Sequence, residues 1–292
     1  MGEAPAPPSR VSSFRQIGII AKYNFLNYFR ARRFYVMLAI ILIIGGLITG
    51  LVAYYQPASF IGVSGEPSAL AALGFYGAGW GSFATLVTVL SAAFFGGDAI
   101  SGEFQNRTGY FLVPNPIRRS SIYVGKYLAA LAASTIILGI FALVMIGNGL
   151  YYFPGQLPWQ FEQSLLFTWV YMISALSLTF AFSSLFKSAA ISILMSVILL
   201  LFVFSLVDTI LTIVAGVEPW FSIVYGAEIV ADILQSPYPL HYSTTSAGGA
   251  GSRFSIATYH PGVSEGLVIL LAYFAVMAVI GLWLFEKKEF TS

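Results

Sequence analysis

Few side chains in this 292-residue sequence are equipped for chemistry. Cysteine is absent, which removes thiolate catalysis and thiolate metal ligation, and the only histidines are His241 and His260. With Glu228 and Asp232 they form the one set whose types suit metal binding or acid–base work. Their separation, and the lack of a short ligand spacing, make ordinary polar roles the expectation. A second set is the charged run Asp98-Ala-Ile-Ser-Gly-Glu103-Phe104-Gln-Asn-Arg107-Thr108, followed by Pro114, Pro116, Arg118, Arg119 and Lys126. An acid and a base four residues apart share a helix face and suit reversible pairing with another protein. The third is Asp208, an acid in an otherwise apolar stretch, where it needs a partner or lines a polar path. There is no G-x-x-x-x-G-K-[ST] loop to cradle a nucleotide, and Gly248-Gly-Ala-Gly251 is followed by Ser252 and Arg253.

The elements that must position these residues are apolar. Hydrophobic residues make up 58% of the chain and charged residues 9%, too few to cover a water-facing surface. Disorder is excluded by the same numbers, and a formal net charge of +2 gives no reason to expect nucleic acid. Charge-free runs lie at 34–56, 73–97, 127–147, 163–186, 188–207 (with an apolar continuation to 215) and 266–285. Each supplies the ~20 helical residues that cross a bilayer. They are apolar on all sides, unlike the alternating segments of a β-barrel. The expected fold is therefore an all-α polytopic membrane protein, with six transmembrane helices occupying 34–285.

Thirteen of the 14 Lys and Arg residues fall on one side of these spans, and only Arg253 on the other. The positive-inside rule then places both termini, the 98–119 loop and the 286–292 tail in the cytoplasm, and the 216–262 loop outside. No cleavage pattern clearly ends the first apolar run, so it is expected to remain as a span. Residues 1–11 are proline-rich and have little reason to fold. Over 12–33 a helical wheel gathers Phe14, Ile17, Ala21, Phe25 and Tyr28 on one face, with Arg30, Arg32 and Arg33 at its end. That pattern predicts a helix lying in the cytoplasmic interface; the alternative is a cytoplasmic extension of the first span.

In the 98–119 loop, Gly96 and Gly97 can bend the chain as it leaves the second span. Residues 100–113 can form a short helix, with Ile100, Phe104, Thr108 and Phe111 near one face and Glu103, Arg107 and Tyr110 on another. Pro114 and Pro116 must end it. Glu103, Phe104, Arg107, Thr108, Tyr110 and Phe111 are the candidates for contact with a partner. Pro114, Pro116, Arg118, Arg119 and Lys126 are candidates for positioning the loop or anchoring it at lipid phosphates. A helix of this kind transmits force or docks a partner.

At this loop the chain resembles the ABC-2 permeases, the membrane-spanning subunits of type-2 ABC exporters. Their first cytoplasmic loop carries a coupling helix of the approximate form acidic–x₃–Gly–Thr, then an apolar stretch, Pro, Arg and Gly–Lys. Here Glu103 matches the acid, Thr108 the threonine, and Leu112 and Val113 the apolar stretch. Pro116 matches the proline, Arg118 or Arg119 the arginine, and Gly125-Lys126 the terminal pair. Arg107 stands where glycine is usual, and Gly109 follows the threonine instead. The resemblance implies an amphipathic elbow helix at 12–33, a coupling helix, and a non-catalytic subunit of the cell membrane. It also implies a second permease subunit, identical or homologous, and two ATP-binding subunits that carry the ATP and magnesium, leaving this chain without a cofactor. The exported substrate is not specified.

Two other classes stay open on the residues alone. A secondary transporter or channel should normally carry more ionisable material at mid-membrane depth. A membrane enzyme or assembly factor would need a convergent polar set, for which His241, His260, Asp232 and Glu228 are the only candidates. Gly46–Gly50 and Gly77–Gly81 have the small-x₃-small spacing that lets helices approach, between subunits or within one. Trp80 and Phe83 border a substrate route or serve packing. In the outer loop, 223–234 can form a short helix, while Pro237, Pro239 and 243–252 read as turns and flexible chain. Tyr225, Tyr238, Tyr242 and Tyr259 favour a cap that hugs the membrane interface.

Overall fold

The computed structural model describes residues 12–61, 68–105, 118–246 and 255–287. Among these residues, six helices are long and apolar enough to cross a membrane: Arg32–Tyr55, Ala69–Gln105, Arg119–Tyr152, Trp159–Leu185, Ala189–Ala215 and Val263–Lys287. In chain order, α1 (Ser13–Arg30) precedes the first span, which is α2 (Arg32–Ile61). The second span is α3 (Ala69–Tyr76) and α4 (Ser82–Gly96), joined by a π-helical turn over Gly77–Gly81, with the short α5 (Ser101–Gln105) beyond it. The third and fourth spans are α6 (Arg119–Tyr152) and α7 (Trp159–Leu185). The fifth contains α8 (Ala189–Ile198) and α9 (Phe204–Thr209) with π-helical turns after each. Then come α10 (Ile223–Ala227), α11 (Ile229–Asp232), the strands β1 (Tyr242–Ser246) and β2 (Ser255–Tyr259), and the sixth span, α12 (Val263–Lys287).

Most of these helices outrun the charge-free windows, because a charge ends a hydropathy window but not a helix. Lys126, taken as the border of the third run, lies inside α6. The fifth span continues past Asp208 to Ala215 and stops at Gly216, whose φ of 62° is the left-handed conformation that ends helices.

The fourth span is the centre of the bundle. It packs along α12 and against α4, and Ser174 Oγ donates to Leu270 O at 2.6 Å across the α7–α12 seam. Tyr127 of α6 donates to Ile173 O at 2.7 Å. Trp80 is fully buried, stacked on Phe141 and edge-on to Phe161, and its Nε1 donates to Ser164 Oγ at 3.0 Å. In this chain it serves packing. Lipid tails are as apolar as leucine, so such contacts depend on close fit and on hydrogen bonds worth about 0.6 kcal/mol each.

Helix α1 is not a continuation of the first span: Ala31 leaves the helical region at φ −76°, ψ 140°. It lies along α6, turning Ile17, Ile20, Ala21, Asn24 and Tyr28 toward the protein, while Phe14 is 88% exposed. Phe25 packs against the core as well, so of the expected apolar face only Phe14 turns outward. Gly125 lets α1 approach: a Cβ there would stand 2.7 Å from Ile20 Cγ2. Asn24 can enter this face because its amide donates to Ile20 O at 2.8 Å, satisfying itself locally.

At the opposite end, α10 and α11 turn back into the bundle as a wedge, with Ile223, Tyr225, Ile229 and Val230 buried. Gly77 and Gly81 face this wedge. Added Cβ atoms there would meet Leu234 O at 3.7 Å and Ala231 Cα at 3.4 Å. That glycine pair serves packing within the chain, whereas Gly46 and Gly50 have no heavy atom within 4 Å of an added Cβ. Beyond the wedge, β1 and β2 pair antiparallel with Tyr242 opposite Tyr259. Parts of 243–252 expected to be flexible are therefore strand. Threonine, isoleucine and tyrosine favour the ladder once a partner strand is present, which a single small polar stretch cannot reveal.

Candidate functional site

The first candidate site lies where the ends of the six spans that carry the basic residues meet. The chain leaves α4 through a turn at 97–100 and forms α5, and almost every polar group of that exit is held by a different span. Ser183 Oγ, on the fourth span, accepts from the backbone N–H groups of Ile100 and Ser101 at 2.9 and 3.0 Å. Those are orphan donors at the start of α5, so Ser183 acts as a cap supplied from another helix. Ser101 Oγ donates to Gly97 O at 3.0 Å.

Lys126 supplies the central contact. From the second turn of α6 its ammonium donates to Ala99 O at 2.6 Å and pairs with Glu103 Oε1 at 2.5 Å, with only 8% of its side chain exposed. Both residues are engaged within the chain. Lys126, expected near the headgroups, is buried, because α6 begins at Arg119 and carries it inward under the loop. Glu103, expected to face a partner, has one carboxylate oxygen engaged inside the chain. Phe104, expected to fill a partner's pocket, is half-buried against the chain's own core.

Around this pair stand four further ties. Arg33, at the start of the first span, forms an ion pair with Asp98, and its guanidinium lies 5.4 Å above the Tyr28 ring. Tyr28 OH in turn donates to Phe95 O at 2.9 Å. Gln105 Oε1 accepts from Ala189 N at 2.8 Å, capping the fifth span. Arg119 donates to Glu286 O at 2.8 Å, joining the third span to the end of the sixth, while Arg118 is the exposed residue that precedes α6. Gly97 does not bend the chain. It keeps a right-handed helical conformation (φ −64°, ψ −27°) and is small because Ile193 Cγ1 would stand 2.9 Å from a Cβ. Arg107, Thr108, Tyr110, Phe111, Pro114 and Pro116 lie outside the described residues.

Sequence reasoning missed Ser183 and Gln105, and it gave Asp98, Arg33 and Tyr28 no part in this junction. The only signal was that each sits within a few residues of a span boundary, where a polar side chain can reach a neighbouring span's end.

The second candidate site is in the outer loop, where the structure brings together what the sequence kept apart. His241 and His260 flank the two strands, and His260 N donates to His241 O at 3.0 Å. Their side chains enter different groups: His260 with Glu228 and Asp232, and His241 with Glu218 and Glu265. His260 Nδ1 is 3.0 Å from Asp232 Oδ2. Burial, with repulsion from Asp232 and Asp208, pushes the Glu228 carboxyl up to about 8, and burial raises Asp232 while His260 offsets part of the rise. Asp208 is buried and accepts from Ser222 Oγ at 2.7 Å, so its partner comes from the start of the wedge. Glu228 also lines a cavity of about 210 Å³ together with Gly81, Thr85, Tyr171 and Ser205.

Six apolar helices, tied together at one end by polar contacts around the exit of the second span, describe an integral membrane protein. A family model described as "ABC-2 family transporter protein" matches residues 19–290. The chain belongs to the ABC-2 transporter family. As an ABC-2 chain it is an integral membrane protein and the membrane subunit of a transporter, of a kind generally not catalytic itself. The match includes α1 from Ile19 onward, all six spans and the outer loop, so both polar sites fall inside the family region. Among curated proteins, no sequence matches this one.

Proposed function

We propose that this chain is the permease subunit of an ATP-driven exporter in the cell membrane. In this reading it forms the translocation path with a second permease subunit, identical or homologous, and is driven by two separate ATP-binding subunits that carry the ATP and magnesium. The end bearing the basic residues faces the cytoplasm, as the charge asymmetry favours. The observation that carries the reading is the Lys126–Ala99–Glu103 contact, which fixes the exit of the second span to the third. With Ser183, Gln105 and Arg33 it makes one stiff junction among the first five spans. A partner that closes against the 98–119 loop when it binds ATP would push on that junction. The spans would then move as coupled bodies and not one at a time.

Within this reading Glu103 and Lys126 position the loop, and the contact surface itself is carried by Arg107, Thr108, Tyr110 and Phe111. Pro114 and Pro116 stop the loop before the third span. The sequence has no phosphate-binding loop of its own, which is why hydrolysis is assigned to another polypeptide.

Affinity purification of the tagged full-length chain from native membranes tests the proposal. A stoichiometric ATP-binding subunit should accompany it, and the complex should hydrolyse ATP in liposomes. Recovery of the chain with no nucleotide-hydrolysing partner would sink the reading. Arg107→Glu should reduce partner recovery while leaving six-span insertion intact. Topology is tested by placing single cysteines in this cysteine-free background: Ser252→Cys should label from outside and Ser13→Cys only from the cytoplasm.

A further inference from the structure

Of the two donor groups in the outer loop, Glu228, Asp232 and His260 have the makings of a metal centre. One donor atom from each lies within 4.8 Å of the others. Glu228 and Asp232 are four residues apart across a single helical turn, closed by Asp232 N donating to Glu228 O at 2.9 Å, and so share a face. His260 comes from a different part of the chain, directly after β2. The Asp232 side chain is only 5% exposed.

Two carboxylates this close, Asp232 buried and Glu228 half-buried, favour a compensating cation. Among the described residues no lysine or arginine pairs with either; Asp232 Oδ1 accepts from Gln235 Nε2 at 3.2 Å, and the Glu228 carboxylate accepts no hydrogen bond there. The neighbouring group differs. Glu218 accepts from Tyr225 OH at 2.6 Å, Glu265 accepts from Gly262 N at 3.1 Å, and His241 is 56% exposed. Its carboxylates already have partners.

We propose that Glu228, Asp232 and His260 bind one divalent ion of the zinc type in the outer cap. One imidazole with two carboxylates suits zinc and its first-row neighbours, whereas calcium and magnesium take oxygen ligands. Three protein ligands leave the fourth tetrahedral position for water. Metal–ligand bonds of about 2.0–2.2 Å place neighbouring donors about 3–3.6 Å apart. His260 Nδ1 and Asp232 Oδ2 already stand 3.0 Å apart, so the remaining adjustment is a shift of roughly 1 Å in the Glu228 carboxylate. The ion ties the wedge, through Glu228 and Asp232, to the segment that leads through His260 into α12, and so staples the cap to the sixth span.

The inference is independent of the export reading, because its test measures metal and heat instead of transport. Chelator-stripped, full-length protein in detergent should bind about one Zn²⁺ per chain by calorimetry, and Zn²⁺ should raise the unfolding temperature reversibly with EDTA. Glu228→Gln, Asp232→Asn and His260→Gln should each weaken zinc binding by about tenfold or more and abolish the thermal shift, whereas His241→Gln should leave both unchanged. Asp232→Asn is nearly isosteric and keeps an acceptor for His260, so a variant that elutes and fluoresces like the parent reports on the metal and not on misfolding. The proposal fails if the stripped parent takes up no zinc at 100-fold molar excess. It fails equally if all three variants bind zinc like the parent, or if they lower stability in a parent whose melting zinc does not change.

Discussion

The two ends of this bundle solve one problem with different chemistry. Each must hold a loop firmly against several spans. At the basic end the polar groups come in matched pairs, Lys126 with Glu103 and Arg33 with Asp98, and the remaining donors are met by Ser183 and Gln105. At the opposite end the acids outnumber the cations among the described residues: Glu228, Asp232, Glu218 and Glu265 are faced by two histidines. A matched pair buried between helices is rigid and insensitive to what surrounds the protein. An unmatched group answers to whatever cation reaches it. The first arrangement suits a junction that must pass on a push, the second a cap whose firmness depends on its surroundings.

The largest expected effect comes from breaking the basic-end junction at its centre. Lys126→Met removes the cation and leaves the Glu103 carboxylate and the Ala99 carbonyl without it in a nearly dry site. Such a loss costs about 3–5 kcal/mol, and thermal unfolding in detergent should register it. Restoring neutrality with Lys126→Met in a Glu103→Gln background should recover part of the loss. If the double variant is no better than the single, the pair is not coupled and the contrast between the two ends weakens.

Next come two serines that do the same work at opposite ends. Ser183→Ala leaves the N–H groups of Ile100 and Ser101 unmet, and Ser164→Ala leaves Trp80 Nε1 and Val230 O unmet. Each should cost about 1–3 kcal/mol in stability. The consequences should separate by place. Hydrogen exchange should speed up in 97–105 for the first variant and in 223–234 for the second; exchange that rises at both ends in either variant would show one cooperative unit where two are described. Of comparable or smaller size is Gly125→Val, which thrusts side-chain atoms into Ile20 and should cost about 1–3 kcal/mol. Proteolysis within 13–30 should accelerate while the six spans stay protected.

Most of the framework was readable because a bilayer imposes a blunt rule: charge-free runs of sufficient length become helices. The details failed where a neighbour had to be known. A lysine ends an apolar run on paper, yet Lys126 is buried in α6 because Ala99 O and Glu103 wait above it. On the α1 face only Phe14 departs, because the helix seats where Gly125 admits Ile20 and Asn24 satisfies itself. The histidines looked solitary because their partners are reached only after β1 and β2 have paired, a contact no local spacing encodes. Gly77 and Gly81 face a wedge from the outer loop, which the spacing of two glycines within a span does not encode.

The two glycine pairs give the smallest predicted effect and the sharpest control. Gly46 and Gly50 face open space, so methyl groups at Gly46→Ala and Gly50→Ala touch nothing in the chain. Alanine is the better helix former by about 1 kcal/mol in water, but a bilayer already enforces helix, so the change in the isolated chain's stability should stay within about 0.5 kcal/mol. Gly81 lies in ordinary contact with Ala231 and Leu234, so an alanine there is nearly tolerated while a leucine presses on the wedge. Gly81→Leu should therefore loosen the cap, detected as faster exchange in 223–234, whereas Gly46→Leu should leave that region untouched. Should Gly46→Leu disturb the cap as much as Gly81→Leu, the first span would be part of what holds the wedge, and the division into two separately held ends would have to be redrawn.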